Sequence, residues 1–248
     1  MEQRHIRNRL YISPEEQELI KNTPILLGGA GIGSAIAECL LRLGFETMTI
    51  IDGDVVELSN LNRQNYTENN IAQPKVEALK ERLLAINSQA KITIHNCFLT
   101  PENVENYITD HKIAINALDF TSDVPLIFDS ICQKKNIPIL HPYNLGWGAL
   151  VLVISEEEGL EVLKKPNEKF SEVNVVDYVL EYMRYWENPQ KWLEEILDKY
   201  KKENKNLSPP QLPIASWLVA GMCTQIAFDI ATNTPVKTFP EFYLTSLK

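Results

Sequence analysis

A chain of 248 residues, 44% of them apolar, can bury one large core, as a single domain or a domain with an elaboration. Its 24 basic residues face 33 acidic ones, and the resulting net charge of −9 argues against a nucleic acid as the main partner while allowing a small protein or a metabolite. The N-terminus has no apolar core of signal-peptide type and no run approaches the roughly 20 apolar residues of a membrane span, so a cytoplasmic protein that meets no membrane is expected.

Arg4, Arg7 and Arg9 come first, ahead of a proline-started helix over residues 14–21 that Ser13 can cap. These arginines could fold back onto a nucleotide or form a solvated tail. Pro24-Ile25-Leu26-Leu27 predicts a strand, and Gly28-Gly29-Ala30-Gly31-Ile32-Gly33 follows at once, before an apolar-periodic helix that Gly44 ends. Strand, glycine loop and helix in that order let a phosphate approach the backbone and meet the positive end of the helix. Residues 47–51 predict a second strand, with Asp52 at its carboxyl end, placed to accept hydrogen bonds from a ribose. A dinucleotide oxidoreductase would share all of this.

The polar stretch beyond separates the readings. Asp52 and Asp54 precede Ser59-Asn60-Leu61-Asn62-Arg63-Gln64, and Pro74-Lys75 opens a helix reaching about residue 86. Hydride transfer has no need for that concentration of Asn, Arg and Lys, whereas holding a triphosphate through nucleotidyl transfer does. A lysine at a helix start is disfavoured by the helix dipole unless it meets an anion.

Residues 92–95 predict a third strand, residues 101–108 a short helix, and residues 112–118 a buried strand that delivers Asp119. In a doubly wound sheet Asp52 and Asp119 then face one crevice, where carboxylates beside phosphate oxygens suit magnesium. Asp123 reads as the cap of a helix to about residue 134. Residues 137–140 and 149–154 predict strands around a loop with Tyr143, Asn144 and Trp147, a candidate wall for the acceptor. The alternation predicts an α/β fold: a doubly wound, Rossmann-like, mostly parallel sheet with helices on both faces. Residues 1–154 would form the nucleotide-binding domain. Residues 155–208, with charged runs near 156–158 and 201–205, would form a helical insertion, and residues 209–248 a long apolar helix (214–230) and tail packing back on the main domain. Cys39, Cys97, Cys132 and Cys223 are scattered without a Cys-x-x-Cys pair, so no zinc is expected.

These motifs together resemble the ThiF/MoeB superfamily, the adenylyltransferases related to ubiquitin-activating enzymes, over residues 1–154 and more weakly 209–235. The matching positions are Gly28, Gly29, Gly31 and Gly33, Asp52 with Asp54, Ser59 to Gln64, Pro74-Lys75, and Asp119. The resemblance implies that Asp52 holds the ribose, that Asn60, Arg63 and Lys75 engage the triphosphate of ATP, and that Asp119 holds Mg2+. It also implies a homodimer in which Arg63 acts across the interface, and a carboxylate acceptor at the C-terminus of a small ubiquitin-like carrier protein or peptide. A tRNA threonylcarbamoyladenosine dehydratase and an NAD-binding oxidoreductase are the alternatives. Three departures stand out: Ala30 within the glycine loop, Phe120 where the family has Asn, and no cysteine between Ser155 and Pro213, which predicts adenylation without a thioester or persulfide step.

Overall fold

The computed structural model describes residues 2–155, 158–166, 169–203 and 207–248. Two parts of the expected charged runs, residues 156–157 and 204–205, lie outside them. Seven strands form one sheet in the order β3-β2-β1-β4-β5-β6-β7. They are β1 (Ile25–Gly28), β2 (Thr47–Ile51), β3 (Lys91–His95), β4 (Ile113–Asn116), β5 (Ile139–Asn144), β6 (Gly148–Ile154) and β7 (Tyr243–Ser246). The first five pair in parallel, while β6 and β7 add antiparallel. Strands β1, β4 and β6 are buried along their whole length, as continuous apolar strands covered on both faces should be.

Seven α-helices flank the sheet among the described residues: α1 (Pro14–Lys21), α2 (Gly33–Leu43), α3 (Lys75–Ile86), α4 (Val124–Lys134), α5 (Glu172–Tyr185), α6 (Lys191–Lys202) and α7 (Pro213–Ala231). A capping box holds α1: Ser13 Oγ accepts from Glu16 N at 3.1 Å, and Glu16 Oε2 accepts from Ser13 N at 2.7 Å. One face of the sheet buries Leu27, Leu40, Ile50 and Val151 under α2, α3 and α7, the other Leu26, Phe128, Leu150 and Phe170 under α4 and α5. Each such side chain contributes about 1.5–3 kcal/mol when fully buried.

Several expectations need correction. Residues 101–108 contain only a 3-10 turn, Val104–Tyr107. His141 and Tyr143 are buried in β5 rather than in a loop, because β5 runs on to Asn144 as the partner of β6. Asp123 occupies the residue before α4 without a capping hydrogen bond, and Ser122 Oγ instead accepts from Val124 N at 3.3 Å. Finally, α7 is long and apolar enough to cross a membrane, a length the sequence reading denied. In the fold it packs on α2 and on β5 and β6, burying Val219, Ala220, Cys223 and Ala227.

Candidate functional site

The parallel sheet reverses its winding between β1 and β4, and a crevice opens above their carboxyl ends. The glycine loop lines one side. Gly29 has φ +95°, and a Cβ there would stand 2.3 Å from the Ala117 carbonyl oxygen, so this position admits only glycine without displacement. A Cβ on Gly31 would lie 3.2 Å from Gln64 Nε2, which places the Gln64 amide over the loop, and Gln64 Oε1 is buried without a partner. Gly33 opens α2 and turns the positive end of the helix toward this space, although Ser34 N already donates to Gly31 O at 3.1 Å and Ala35 N to Ile32 O at 3.2 Å.

Asp52 leaves β2 at the level of Gly28 and binds the loop directly. Its Oδ2 accepts from Ala30 N at 2.6 Å and its Oδ1 from Asp54 N at 2.7 Å. A carboxylate has about four lone-pair sites, so some remain for ribose hydroxyls. The following segment is tied to the start of α3: Val56 N donates to Gln73 O and Lys75 N to Asp54 O, each at 2.9 Å. That pinning swings Lys75 inward. It is only 7% exposed, and Nζ lies 2.9 Å from Asp54 Oδ2, an anion that offsets the unfavourable dipole at the head of α3. The Tyr66 hydroxyl donates to Ala30 O at 2.7 Å and lies 3.3 Å from Lys75 O, joining loop to helix, and burial pushes that phenol above its ordinary value.

Asn60 is buried, and its Oδ1 accepts from Glu57 N at 3.0 Å, so this half of the amide shapes the turn that presents Arg63. Arg63 Nη1 donates to Ser59 O at 2.9 Å and Asn62 Oδ1 at 2.8 Å, while Nε donates to Gln211 Oε1. Burial lowers the basicity of this guanidinium and the nearby Asp119 charge raises it. Arg63 thus feels the charge of Asp119 in its own chain.

Asp119 stands beyond β4 on the opposite wall. Partial burial raises its carboxyl above the ordinary value, as does the Glu172 charge, and Lys75 opposes them. Asp119 still touches solvent, so protein desolvates one side of the carboxyl without sealing it. Phe120 takes no polar role: it is buried, 4.8 Å from Phe170 and stacked 6.4 Å from His141. Beneath it, the buried Asp129 carboxylate is held by Asn116 Nδ2 and His141 Nε2, both 2.8 Å from Oδ1.

The structure therefore brings Gly28, Gly29, Gly31, Gly33, Asp52, Asp54, Arg63, Gln64, Lys75 and Asp119 to one crevice. It takes Arg4, Arg7 and Arg9 away from it: the 3-10 turn Gln3–Asn8, which Arg9 follows directly, sits at the C-terminal end of α2, where Asn8 Nδ2 donates to Leu43 O at 3.0 Å. That end is roughly 16 Å from the glycine loop for an 11-residue helix. Tyr143 is buried behind the wall, and Asn144 is engaged with Leu212 O and Ser216 Oγ. Glu172, Gln211 and Tyr66 were missed. Glu172 opens α5, and its Oε1 accepts from Phe120 N at 3.3 Å. A carboxylate at a helix start was visible in the sequence, but its destination, set by tertiary packing, was not.

A family model described as the ThiF family matches residues 3–246. The chain belongs to the ThiF family. Among curated relatives, the sulfur carrier protein ThiS adenylyltransferase of Bacillus subtilis is 35% identical over 157 residues, 61% of this chain and 46% of that protein. The tRNA threonylcarbamoyladenosine dehydratase of Escherichia coli is 32% identical over 123 residues, 49% of this chain and 46% of that protein. This ThiF-family chain spans about half the length of the curated relatives it matches first. Among solved structures, E. coli MccB with AMPCPP and MccA superposes with TM-score 0.70 at 19% identity, over 98% of this chain and 70% of MccB. MccB with ATP gives 0.68 at 17% identity, over 93% and 65%. At those identities the likeness is one of fold.

Proposed function

We propose that this ThiF-family chain uses ATP to adenylate a carboxylate acceptor, forming an acyl-adenylate and releasing pyrophosphate. The observation that carries the reading is the convergence of Lys75, Arg63 and Asp119 on the crevice beside the glycine loop, a charge set that hydride transfer does not use. Phosphate oxygens rest against the glycine loop at the positive end of α2, and Asp52 accepts from the ribose. Lys75 trades Asp54 for a phosphate oxygen, and Arg63, steadied by Gln211, neutralises charge as pyrophosphate leaves. Asn60 and Gln64 complete the polar wall. Catalysis is then mainly positioning and charge stabilisation.

Asp119, half-desolvated among Asp52, Asp54 and Glu172, has the donor chemistry of a Mg2+ ligand, and that cation when bound would screen the triphosphate. The acceptor is the C-terminus of a small ubiquitin-like carrier or a peptide, supported by relatives named for ThiS and for molybdopterin synthase and by the fold likeness to MccB with MccA. Dehydratase relatives support a second reading, activation of a modified tRNA base, against which the charge of −9 weighs. The exposed Leu10 and Tyr11, 97% and 88% accessible, offer an apolar face for a homodimer. The cytoplasm remains the proposed compartment.

ATP–pyrophosphate exchange with Mg2+, run with candidate carrier and peptide acceptors, tests this reading, with NAD binding as the parallel control. Exchange that depends on one acceptor supports it; no exchange together with tight NAD binding overturns it.

A further inference from the structure

A second polar cluster lies under the N-terminal segment, away from the crevice. His5, in the 3-10 turn Gln3–Asn8, is 4% exposed. Glu46, in the bend between α2 and β2, is 5% exposed. His5 Nε2 and Glu46 Oε1 are both buried without a hydrogen-bond partner. Ligand atoms of Glu2, His5 and Glu46 all lie within 4.8 Å of one another. An unsatisfied buried polar group costs about 1–3 kcal/mol, so two of them in one cluster call for something to bridge them.

Lys21 does not fill that role. Its Nζ lies 2.6 Å from Glu2 Oε1 and 3.9 Å from Glu46 Oε2, which leaves Glu46 Oε1 and His5 Nε2 unengaged. The two carboxylates and the ammonium leave a local charge of −1, favourable for one more cation.

We propose that Glu2, His5 and Glu46 bind a divalent first-row cation, best matched by zinc, which pins the N-terminal segment to the start of β2. One imidazole nitrogen and two carboxylate oxygens suit zinc, whereas magnesium and calcium take oxygen shells. Ligands about 2 Å from a tetrahedral zinc stand about 3.4 Å apart, so binding would draw the three side chains together. Water takes the fourth position. This site uses nitrogen and oxygen donors, unlike the thiolate site that the scattered cysteines argued against. The segment it fastens also carries Arg4, whose Nη1 donates to Ile86 O at 3.2 Å, and Asn8, bonded to Gln17 and Leu43. Binding there would therefore tie the chain's start to the C-terminal ends of both α2 and α3.

The test is a competition titration of the untagged full chain with zinc chloride against a fluorescent zinc indicator. One zinc per chain is expected, with affinity reduced at least tenfold in both His5→Ala and Glu46→Gln and unchanged in the distant surface variant Glu105→Gln. Cobalt substitution of the wild-type chain reads the donor set without mutation, so a variant that misfolds does not blunt the test: a spectrum lacking a thiolate-to-cobalt band is expected. Absence of zinc binding, unchanged affinity in both cluster variants, or a thiolate band would each overturn the proposal.

Discussion

Replacing Gly29 with alanine tests whether the glycine loop is built as described. At φ +95° an L-residue carries about 1–2 kcal/mol of backbone strain. The added Cβ would also stand 2.3 Å from the Ala117 carbonyl oxygen, and Ala117 cannot swing aside, because its N–H donates to Gly28 O at 2.8 Å within the β1–β4 pairing. Forcing packed backbone apart adds about 1–3 kcal/mol. Gly29→Ala should therefore cost about 2–5 kcal/mol, a large share of the 5–15 kcal/mol that holds a typical domain together. Gly28→Ala is the internal control: its Cβ would meet only the Leu118 and Phe128 side chains, at 3.4 Å, and should cost about 1 kcal/mol or less. Urea unfolding of both variants, followed by tryptophan fluorescence, measures the difference. Equal stability of the two would refute the geometry on which the phosphate-binding argument rests.

Other consequences can be checked separately. Lys75→Met removes a buried cation but leaves its partner Asp54 in solvent, so the fold should persist while exchange drops by roughly 10²–10³-fold; a drop below threefold would remove Lys75 from the machinery. Arg63→Ala and Asp119→Ala should each abolish pyrophosphate exchange with melting temperatures close to wild type, since both side chains border the solvated crevice. Normal exchange in either variant would mean that its role is wrongly assigned. Glu38 gives a pH signature. Burial raises its carboxyl, but hydrogen bonds from Arg82 and Arg42 outweigh that and hold it below 4.5. A depressed carboxyl adds stability above the unfolded value and loses it as pH falls through the folded value. Unfolding free energy should thus decline below about pH 4.5, and Glu38→Gln should flatten that acid limb; identical limbs would exclude Glu38 as the cause.

The crevice was legible because its parts are local. The Gly28–Gly33 loop, Asp52 at the end of β2 and Asp119 beyond β4 each follow from a strand and the residues just after it, and parallel winding alone brings them to one edge. What could not be read depends on contacts between distant segments. Gln211 reaches Arg63 across 148 positions, and Glu172 reaches Phe120 across 52. Neither has a periodicity or spacing that points to its partner. The extent of β5 was misjudged for a related reason: His141-Pro142-Tyr143 resembles a loop, yet antiparallel pairing with β6 and burial of His141 against Asp129 hold it extended. Likewise, the buried part of the apolar run of α7 follows from its packing beside α2 on β5 and β6, a contact between distant segments.

The most direct measurement of the central claim follows an oxygen atom. An acceptor peptide or carrier identified by exchange would be prepared with 18O in its C-terminal carboxylate, turned over with ATP and a nucleophile, and the released AMP examined by mass spectrometry. Attack of the carboxylate on the α-phosphate predicts one 18O carried into each AMP. Unlabelled AMP, or ADP as the nucleotide product, would contradict it.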